Sequence, residues 1–222
     1  MNIRPPKSMP TLPAVLHDVR AWLHQYVSIS TEQATLITLW VAMTHALNGF
    51  DFAAYLHITS PLPECGKSRV LEVLETLVPK PWHTSRVSAA VLMRKVDAQH
   101  PTLLLDESDA AFSSEKEYAE ALRGLLNSGF HRDGKASCCV GQGANLTFKD
   151  FSVFGPKAIA GIGRLPATVE SRAIPITMRR RTRDEPIRRF RKRDATAEGA
   201  IMRDRLAALL AEQVERLTLD RP

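Results

Sequence analysis

Two groups of residues in this chain have the types and spacing that would hold and cleave a phosphate chain. The first is Pro61-Leu62-Pro63-Glu64-Cys65-Gly66-Lys67-Ser68, which matches the phosphate-binding pattern G-x-x-x-x-G-K-[ST] except that Pro61 replaces the first glycine. The second is Asp106-Glu107, two adjacent carboxylates that follow the apolar run 102–105. Together they predict a site for a nucleoside triphosphate, with ATP and Mg²⁺ as its ligands.

The residues of the first group each have an expected role. Backbone N–H groups at the start of a helix point at phosphate oxygens, and the helix dipole favours negative charge there. Lys67 is expected to reach the terminal phosphates, and Ser68 is expected to ligate Mg²⁺. The remaining nucleotide contacts are assigned to Pro63, Glu64, Cys65, Gly66 and Arg69.

Pro61 is the departure from the pattern. Proline cannot donate an N–H and cannot adopt the positive φ that a glycine would supply. The alternative interpretation of the motif is therefore a surface turn followed by an ordinary helix.

The paired acids follow a short apolar run of the buried-strand type. Asp106 is expected to hold the Mg²⁺ shell, and Glu107 is expected to polarise the attacking water. The strand that carries them is predicted to lie beside the strand of the phosphate loop, residues 61–66. The alternative is that the two acids cap the next helix, because Ser108 follows them.

The elements that would position these residues can be predicted from periodicity. Residues 55–59 alternate as a strand should, and residues 69–78 have apolar side chains at helical spacing. A helix-like stretch, 88–99, separates the two motifs. The phosphate loop is thus in the strand-loop-helix setting that it requires.

The rest of the chain predicts an α/β fold with helical additions. Two helices, 12–27 and 30–48, precede the α/β part, and Ser30 or Thr31 with Glu32 and Gln33 predicts a capping box. Alternating strands and helices to about residue 178 favour a mostly parallel sheet with helices on both faces. A long helix, 195–219, ends the chain. The predicted core side chains of these helices are Trp22, Leu36, Leu39, Trp40, Val41 and Met43, then Ile201, Leu206, Leu209, Leu210, Val214 and Leu217.

Between residues 127 and 154 the pattern changes, and glycines punctuate two short runs, 137–140 and 146–148. This pattern predicts a β-hairpin.

Taken together, these elements predict three segments. They are 1–50, an N-terminal helical segment; 51–182, a P-loop ATPase core; and 183–222, a basic connector with a C-terminal helix.

Several motifs in fixed order resemble one family. They are Cys65-Gly66-Lys67-Ser68-Arg69-Val70-Leu71, Leu104-Leu105-Asp106-Glu107, Leu125-Leu126-Asn127-Ser128-Gly129, Gly155-Pro156-Lys157-Ala158-Ile159-Ala160-Gly161-Ile162-Gly163 and Ser171-Arg172. This set resembles the uncharacterised domain of phage, prophage and plasmid primase-helicase-like proteins, which is similar to AAA+ ATPases of the replicative kind. The resemblance covers roughly residues 30–182. It implies an AAA+-like P-loop NTPase core and an ATPase that works on DNA as a ring or with a partner.

The resemblance also implies roles for residues outside the two motifs. Arg172 matches the position of an arginine finger that reaches a neighbouring subunit's γ-phosphate; its local alternative is an ion pair with Glu170 or another local acid. The hairpin implies DNA contacts by Arg132, Lys135 and Lys149, and the alternative is a solvent-facing hairpin with incidental charges. Where such ATPases place an Asn or Thr to orient water, this chain has Gly161 and Gly163, so no residue takes that role.

Composition limits the other possibilities. The chain has 222 residues, of which 44% are hydrophobic, enough for one good core. No apolar stretch approaches the roughly 20 residues of a membrane span, which predicts a cytoplasmic protein with no membrane partner. Cys65, Cys138 and Cys139 lack metal-binding spacing and are expected to be free thiols.

Positive charge is concentrated in one stretch. Residues 179–193 contain nine basic and two acidic residues, a net of +7, so the remainder of a chain with net charge +6 sums to −1. This basic segment suits a phosphate backbone or an acidic partner, and the alternative is a solvated connector.

The leading hypothesis is an ATP-hydrolysing DNA motor or remodeller of mobile-element replication, a homo-oligomer acting on single-stranded or forked DNA. Three alternatives remain: a helicase loader or clamp-type switch, a small-molecule kinase, and a non-catalytic nucleotide-binding interaction module. ATP turnover with and without single-stranded DNA would separate them.

Overall fold

The computed structural model describes residues 10–85, 87–108, 112, 116–141 and 147–219. Its helices of four residues or more are α1 (Leu12–Tyr26), α2 (Thr31–His45), α3 (Lys67–Leu77), α4 (Ala89–Gln99), α5 (Lys116–Ser128), α6 (Ala167–Glu170) and α7 (Lys192–Leu219). Its strands are β1 (Tyr55–Ser60), β2 (Pro81–Thr84), β3 (Thr102–Leu105), β4 (Lys135–Val140), β5 (Thr147–Ser152), β6 (Lys157–Ile162) and β7 (Ala173–Thr177). Of the described helices, none is long and apolar enough to cross a membrane.

Five strands form one sheet in the order β2-β3-β6-β1-β7, and all four pairings are parallel. Parallel strands covered on both faces need apolar side chains on both faces. β6 fits this requirement, because residues 157–161 are all buried. The prediction of a mixed α/β fold with a mostly parallel sheet and a C-terminal helix is confirmed.

The predicted position of the Asp106-Glu107 strand is wrong in one respect. β3, which precedes the two acids, pairs with β6 and not with β1. β6 pairs on its other side with β1, the strand of the phosphate loop. β6 therefore takes the central place in the sheet although it comes later in the chain.

The core has two parts, one on each face of the sheet. On one face, α1, α2, α3 and α7 pack around Leu56 and Ile58 of β1. On the other face, α4, α5 and the β4–β5 hairpin pack around Tyr55 and residues of β3 and β6. The first cluster contains residues from all three predicted segments, so the N- and C-terminal helices complete the core of the α/β part.

The N-terminal helices form for the local reasons expected. The Ser30 hydroxyl accepts the Gln33 N–H at 3.2 Å, and the Ser30 N–H donates to the Gln33 side-chain oxygen at 3.0 Å, which is a complete capping box. Trp22 and Trp40 are buried. The expected burial of Leu36, Leu39 and Ile201 is wrong: they are 40%, 54% and 55% exposed, because they lie on the outward faces of their helices.

Helices α3 and α7 meet at a glycine. A Cβ at Gly199 in α7 would collide with the Cβ of Thr76 in α3 at 2.6 Å. The absence of a side chain therefore lets the backbone of α7 lie directly on α3, the helix that follows the phosphate loop.

Candidate functional site

The phosphate loop connects the end of β1 to the start of α3. Gly66 has φ +85° and is the residue before α3, so its backbone needs the left-handed region that glycine adopts without strain. Among the described residues no side chain caps this helix, and its first turn contains no acid. The first backbone N–H groups of α3 thus have no partner within the helix and are available to an anion.

Pro61 fits the loop that forms. The residues with positive φ in the loop are Glu64, at +59°, and Gly66, and Pro61 is not among them. The φ restriction of proline is therefore compatible with position 61.

Lys67 lies across the loop. Its Nζ donates to the Ser60 hydroxyl at 2.7 Å, and that hydroxyl donates to the Leu62 carbonyl at 2.5 Å. Cys65 is buried in the core cluster beneath, which fixes the middle of the loop. Ser68, by contrast, is exposed beside the loop.

Asp106 and Glu107 follow β3 directly. The Asp106 N–H donates to the Thr84 carbonyl of β2 at 2.9 Å, which extends the ladder by one residue. An Asp106 carboxylate oxygen accepts the Glu107 N–H at 2.9 Å. Glu107 has φ +55° and an exposed side chain. A non-glycine residue in this region is strained by about 1 kcal/mol or more, and such strain is concentrated at functional sites.

The register brings both groups to the same edge of the sheet. Ser60 lies opposite Ile162 of β6, and Leu105 lies opposite Ile159 of the same strand. Strands are spaced about 4.8 Å apart, so β1 and β3 are separated by roughly 10 Å with β6 between them. The phosphate loop and the paired acids therefore flank the C-terminal end of β6.

The end of β6 presents little polar chemistry of its own. Gly161 and Gly163 have no side chains, and the Gly163 carbonyl accepts the Thr59 hydroxyl at 2.5 Å. Arg164 is the first charged residue after the strand, and it pairs with Glu170 through two hydrogen bonds of 2.8 and 3.1 Å. This bonding lowers the pKa of Glu170. Sequence reasoning did not identify Arg164, since the pairing depends on the return of the chain through α6.

Arg172 lies at the opposite edge of the sheet. Its carbonyl accepts the N–H of Tyr55, the first residue of β1, at 3.0 Å. The guanidinium donates to the Thr168 carbonyl and lies 5.8 Å from the centre of the Phe130 ring. The alternative pairing of Arg172 with Glu170 is not seen, because Arg164 occupies that acid. A six-residue strand is about 20 Å long, so Arg172 is remote from the phosphate loop of its own chain.

The three residues predicted to contact DNA do not come together. Arg132 lies before the hairpin, where its guanidinium donates to the carbonyls of Leu47 and Phe50 and lies 3.4 Å from Asp51. Lys135 is exposed at the base of the hairpin, opposite Ser152.

Lys149 is opposite Cys138, three pairs further along, and its ammonium lies 4.7 Å from the Phe151 ring. Side chains alternate between faces, so Lys135 and Lys149 are on opposite faces of the hairpin. The tip of the hairpin, residues 142–146, lies outside the described residues.

The basic segment is partly tied down by ion pairs. Arg179 pairs with Glu185, Arg180 with Glu64, Arg188 with Glu198 and Lys192 with Glu75. The other five side chains are exposed, and no acid of the described residues is within ion-pair distance of them: Arg181, Arg183, Arg189, Arg191 and Arg193.

Other groups offer less chemistry. Cys65, Cys138 and Cys139 are free thiols, as expected. In the part of the chain that the structure describes, no three His, Cys, Asp or Glu side chains are grouped to hold a metal by themselves.

Comparison with known proteins gives a fold relationship. No protein-family model matches the chain, and no curated protein matches it. Among solved structures it is similar to the apo A form of the C-terminal region of NrS-1, with 13% sequence identity and a TM-score of 0.52. The match covers 98% of this chain and 52% of that one, so this chain spans about half the length of the NrS-1 structure. The chain therefore shares its fold with part of the NrS-1 C-terminal region.

Proposed function

We propose that this chain binds ATP with Mg²⁺ and hydrolyses it, as an AAA+-like P-loop ATPase that acts on DNA in the replication of a mobile element. One observation carries the proposal: Gly66-Lys67-Ser68 and Asp106-Glu107 leave the same edge of a parallel sheet, separated by a single strand. This edge, outside the carboxyl ends of the strands, is where open α/β sheets bind ligands.

The phosphate loop supplies the binding of the triphosphate. The unpaired N–H groups of α3 and its dipole favour the phosphate oxygens. Lys67 already lies over the loop through its bond to Ser60. In this role the Lys67 ammonium exchanges its hydrogen bond to the Ser60 hydroxyl for contacts with the terminal phosphates, whose charge it neutralises.

Ser68 and Asp106 fit a magnesium ion. Mg²⁺ prefers oxygen ligands and keeps several waters, and these residues offer one exposed hydroxyl and one carboxylate on either side of β6. When bound, the ion neutralises charge on the phosphates.

Glu107 is proposed to orient and deprotonate the attacking water. Its backbone conformation is fixed by the bond from its N–H to Asp106, and its side chain is exposed at the shared edge. Arg172 cannot serve the site of its own chain, because it lies at the other end of β1. Its proposed role is therefore in trans, with the guanidinium stabilising charge at a neighbouring subunit's site.

DNA is the proposed partner because of the charge distribution. Five exposed arginines of the basic segment, at positions 181, 183, 189, 191 and 193, have no acidic partner within the described residues. Such a surface binds phosphate backbones through counterion release. This surface is a better candidate than Arg132, whose donors are used within the fold.

A nucleotide-dependent switch is the second candidate, as a helicase loader or a non-catalytic module. One observation favours it: the end of β6, between the two halves of the site, presents Gly161 and Gly163 where a water-orienting polar side chain would be expected. A switch requires binding and a shape change but no fast hydrolysis.

The test is ATP turnover with Mg²⁺, with and without single-stranded DNA, for the parent chain, Lys67→Ala and the exposed control Arg94→Ala. We expect turnover that DNA stimulates in the parent and control, and loss of turnover and of tight ATP binding in Lys67→Ala. Binding without turnover would favour the switch. Equal ATP affinity in all three proteins would refute the proposal that the loop and Lys67 bind the phosphates of ATP.

A further inference from the structure

Arg180 is the residue of the basic segment that lies against the phosphate loop. Its Nη2 is 2.9 Å from a carboxylate oxygen of Glu64, the middle of the loop. The backbone brings it there, because the Met178 N–H donates to the Thr59 carbonyl at 2.6 Å just after β7 ends. The Met178 side chain lies 3.9 Å from where a Cβ of Gly66 would be.

The other ion-paired residues of the basic segment serve different contacts. Arg188 bonds twice to Glu198 at the start of α7, at 2.7 and 2.8 Å, and Lys192 bonds to Glu75 of α3. These pairs attach the segment to helices. Within the described residues, Arg180 is the basic residue of this segment that pairs with the phosphate loop.

Glu64 is an unexpected residue at its position. Its φ of +59° is in the left-handed region, which costs a glutamate conformational energy. Its carboxylate also adds negative charge to a loop proposed to receive a triphosphate, and like charges at short range repel. A neighbouring cation must offset that charge if the loop is to bind an anion.

We propose that Arg180 is a phosphate-binding residue of its own subunit's nucleotide site, which releases Glu64 and pairs with the triphosphate when nucleotide binds. This inference rests on the proposed function. The guanidinium suits the role, because its planar donors match phosphate oxygens in pairs.

The free-energy change for Arg180 to replace Glu64 by the triphosphate as its partner should be favourable. Arg180 and Glu64 are 70% and 78% exposed, and exposed ion pairs contribute little stability. A polyanion next to Lys67 and the start of α3 presents more negative charge to Arg180 than one carboxylate does. Arg180 lies three residues after β7, near the start of the basic segment, so its change of partner couples nucleotide binding to that segment.

The experiment measures the affinity of the parent chain for a fluorescent ATP analogue with Mg²⁺, and of Arg180→Ala, Glu64→Gln and the double variant. Arg94→Ala is the control, since it removes one exposed arginine outside the basic segment. Thermal unfolding of each variant checks folding. Lys67→Ala is measured alongside to test the site itself.

We expect Arg180→Ala to weaken binding about tenfold, in the range of a lost charge-assisted hydrogen bond, and Glu64→Gln to strengthen it several-fold. Arg180→Ala must weaken binding also when Glu64 is already Gln, whereas Arg94→Ala leaves affinity unchanged. If Arg180→Ala acts only when Glu64 is present, Arg180 merely neutralises that carboxylate and the proposal is overturned. No effect in either background overturns it too. If the parent binds no better than Lys67→Ala, the nucleotide site itself is wrong, which is a separate result.

Discussion

Polar residues lie at both ends of the sheet's strands, but they are exposed at the carboxyl edge and buried at the amino edge. At the carboxyl edge, Glu64, Ser68 and Glu107 are exposed around a helix start that no side chain of the described residues caps. At the amino edge, Lys157 and Tyr55 are buried and donate to backbone carbonyls. At the first edge these side chains are accessible to solvent, and at the second edge the polar groups bond within the fold.

Lys157 shows the second situation most clearly. It is 2% exposed, and its Nζ donates to the carbonyls of Val153 and Gly155 at 3.0 and 2.9 Å, near the base of the hairpin. The ammonium also lies 4.9 Å from the centre of the Tyr55 ring. A buried amine of this kind supports architecture, so charge in the sequence alone does not identify a functional residue.

Arg172 would be an exception to this difference between the two edges, because it lies at the amino edge and is proposed to be catalytic in trans. Arg172→Ala should lower ATP turnover by about 10³- to 10⁵-fold, the range for arginine fingers. Mixing it with inactive Lys67→Ala should restore roughly a quarter of the activity if subunits pair at random and each supplies what the other lacks. Failure of the mixture to recover, with Arg172→Ala only less stable, would make Arg172 structural like its neighbours.

Glu107→Gln tests the carboxyl edge. Loss of a general base lowers turnover by about 10²- to 10⁴-fold, while binding of ATP is retained because the phosphate loop is intact. The measurements are single-turnover hydrolysis and the mass of the assembly with ATP and Mg²⁺, which should increase in the variant. Equal turnover in both proteins would remove Glu107 from its proposed role.

Lys157→Met tests the amino edge through pH. Burial lowers the pKa of Lys157 from 10.5 to about 7. Between those values the unfolded chain binds more protons, so the free energy of unfolding should rise with pH, by up to about 3 kcal/mol from pH 7 to 9.5. The variant should lack this rise in urea titrations. The range stops below 10 because burial raises the pKa of Tyr55, which reverses the trend there.

A difference between the parent and Lys157→Met that is independent of pH would show that Lys157 stays charged, held by its carbonyl partners and the Tyr55 ring. Nucleotide affinity, measured at one pH in both proteins, should be unchanged. A large loss of affinity would mean that the two edges are not independent.

Arg132→Ala should give the smallest effect. It removes hydrogen bonds to the Leu47 and Phe50 carbonyls and the contact with Asp51, which should lower the free energy of unfolding by about 2 kcal/mol. DNA affinity should change no more than in the exposed control Arg94→Ala. A selective loss of DNA binding at constant stability would restore Arg132 as a DNA contact.

The sequence predicted the elements whose cause is local. The capping box at Ser30, the helix after the phosphate loop and the hairpin all depend on residues within a few positions of one another. The strand β2 is not evident from the sequence, because it has only four residues and begins with Pro81, which a strand tolerates only at a sheet edge; β2 is an edge strand.

Non-local features could not be predicted in the same way. The place of β6 between β1 and β3 follows from strand pairings that are distant in the chain, and the sequence order does not reveal it. The partners of Arg132 are carbonyls more than eighty residues away, so its structural role has no local signal. Arg180 meets Glu64 across 116 positions, and only the fold brings them together.

The contact at Gly199 links the C-terminal helix to the helix that follows the phosphate loop. α7 rests its backbone on Thr76, and α3 runs from there, as one unbroken rod, to Lys67 and Ser68. The helix that begins at the proposed nucleotide site is therefore packed at its other end against α7. A side chain at position 199 would force α7 and α3 apart at Thr76, so the fit of the C-terminal helix depends on this glycine.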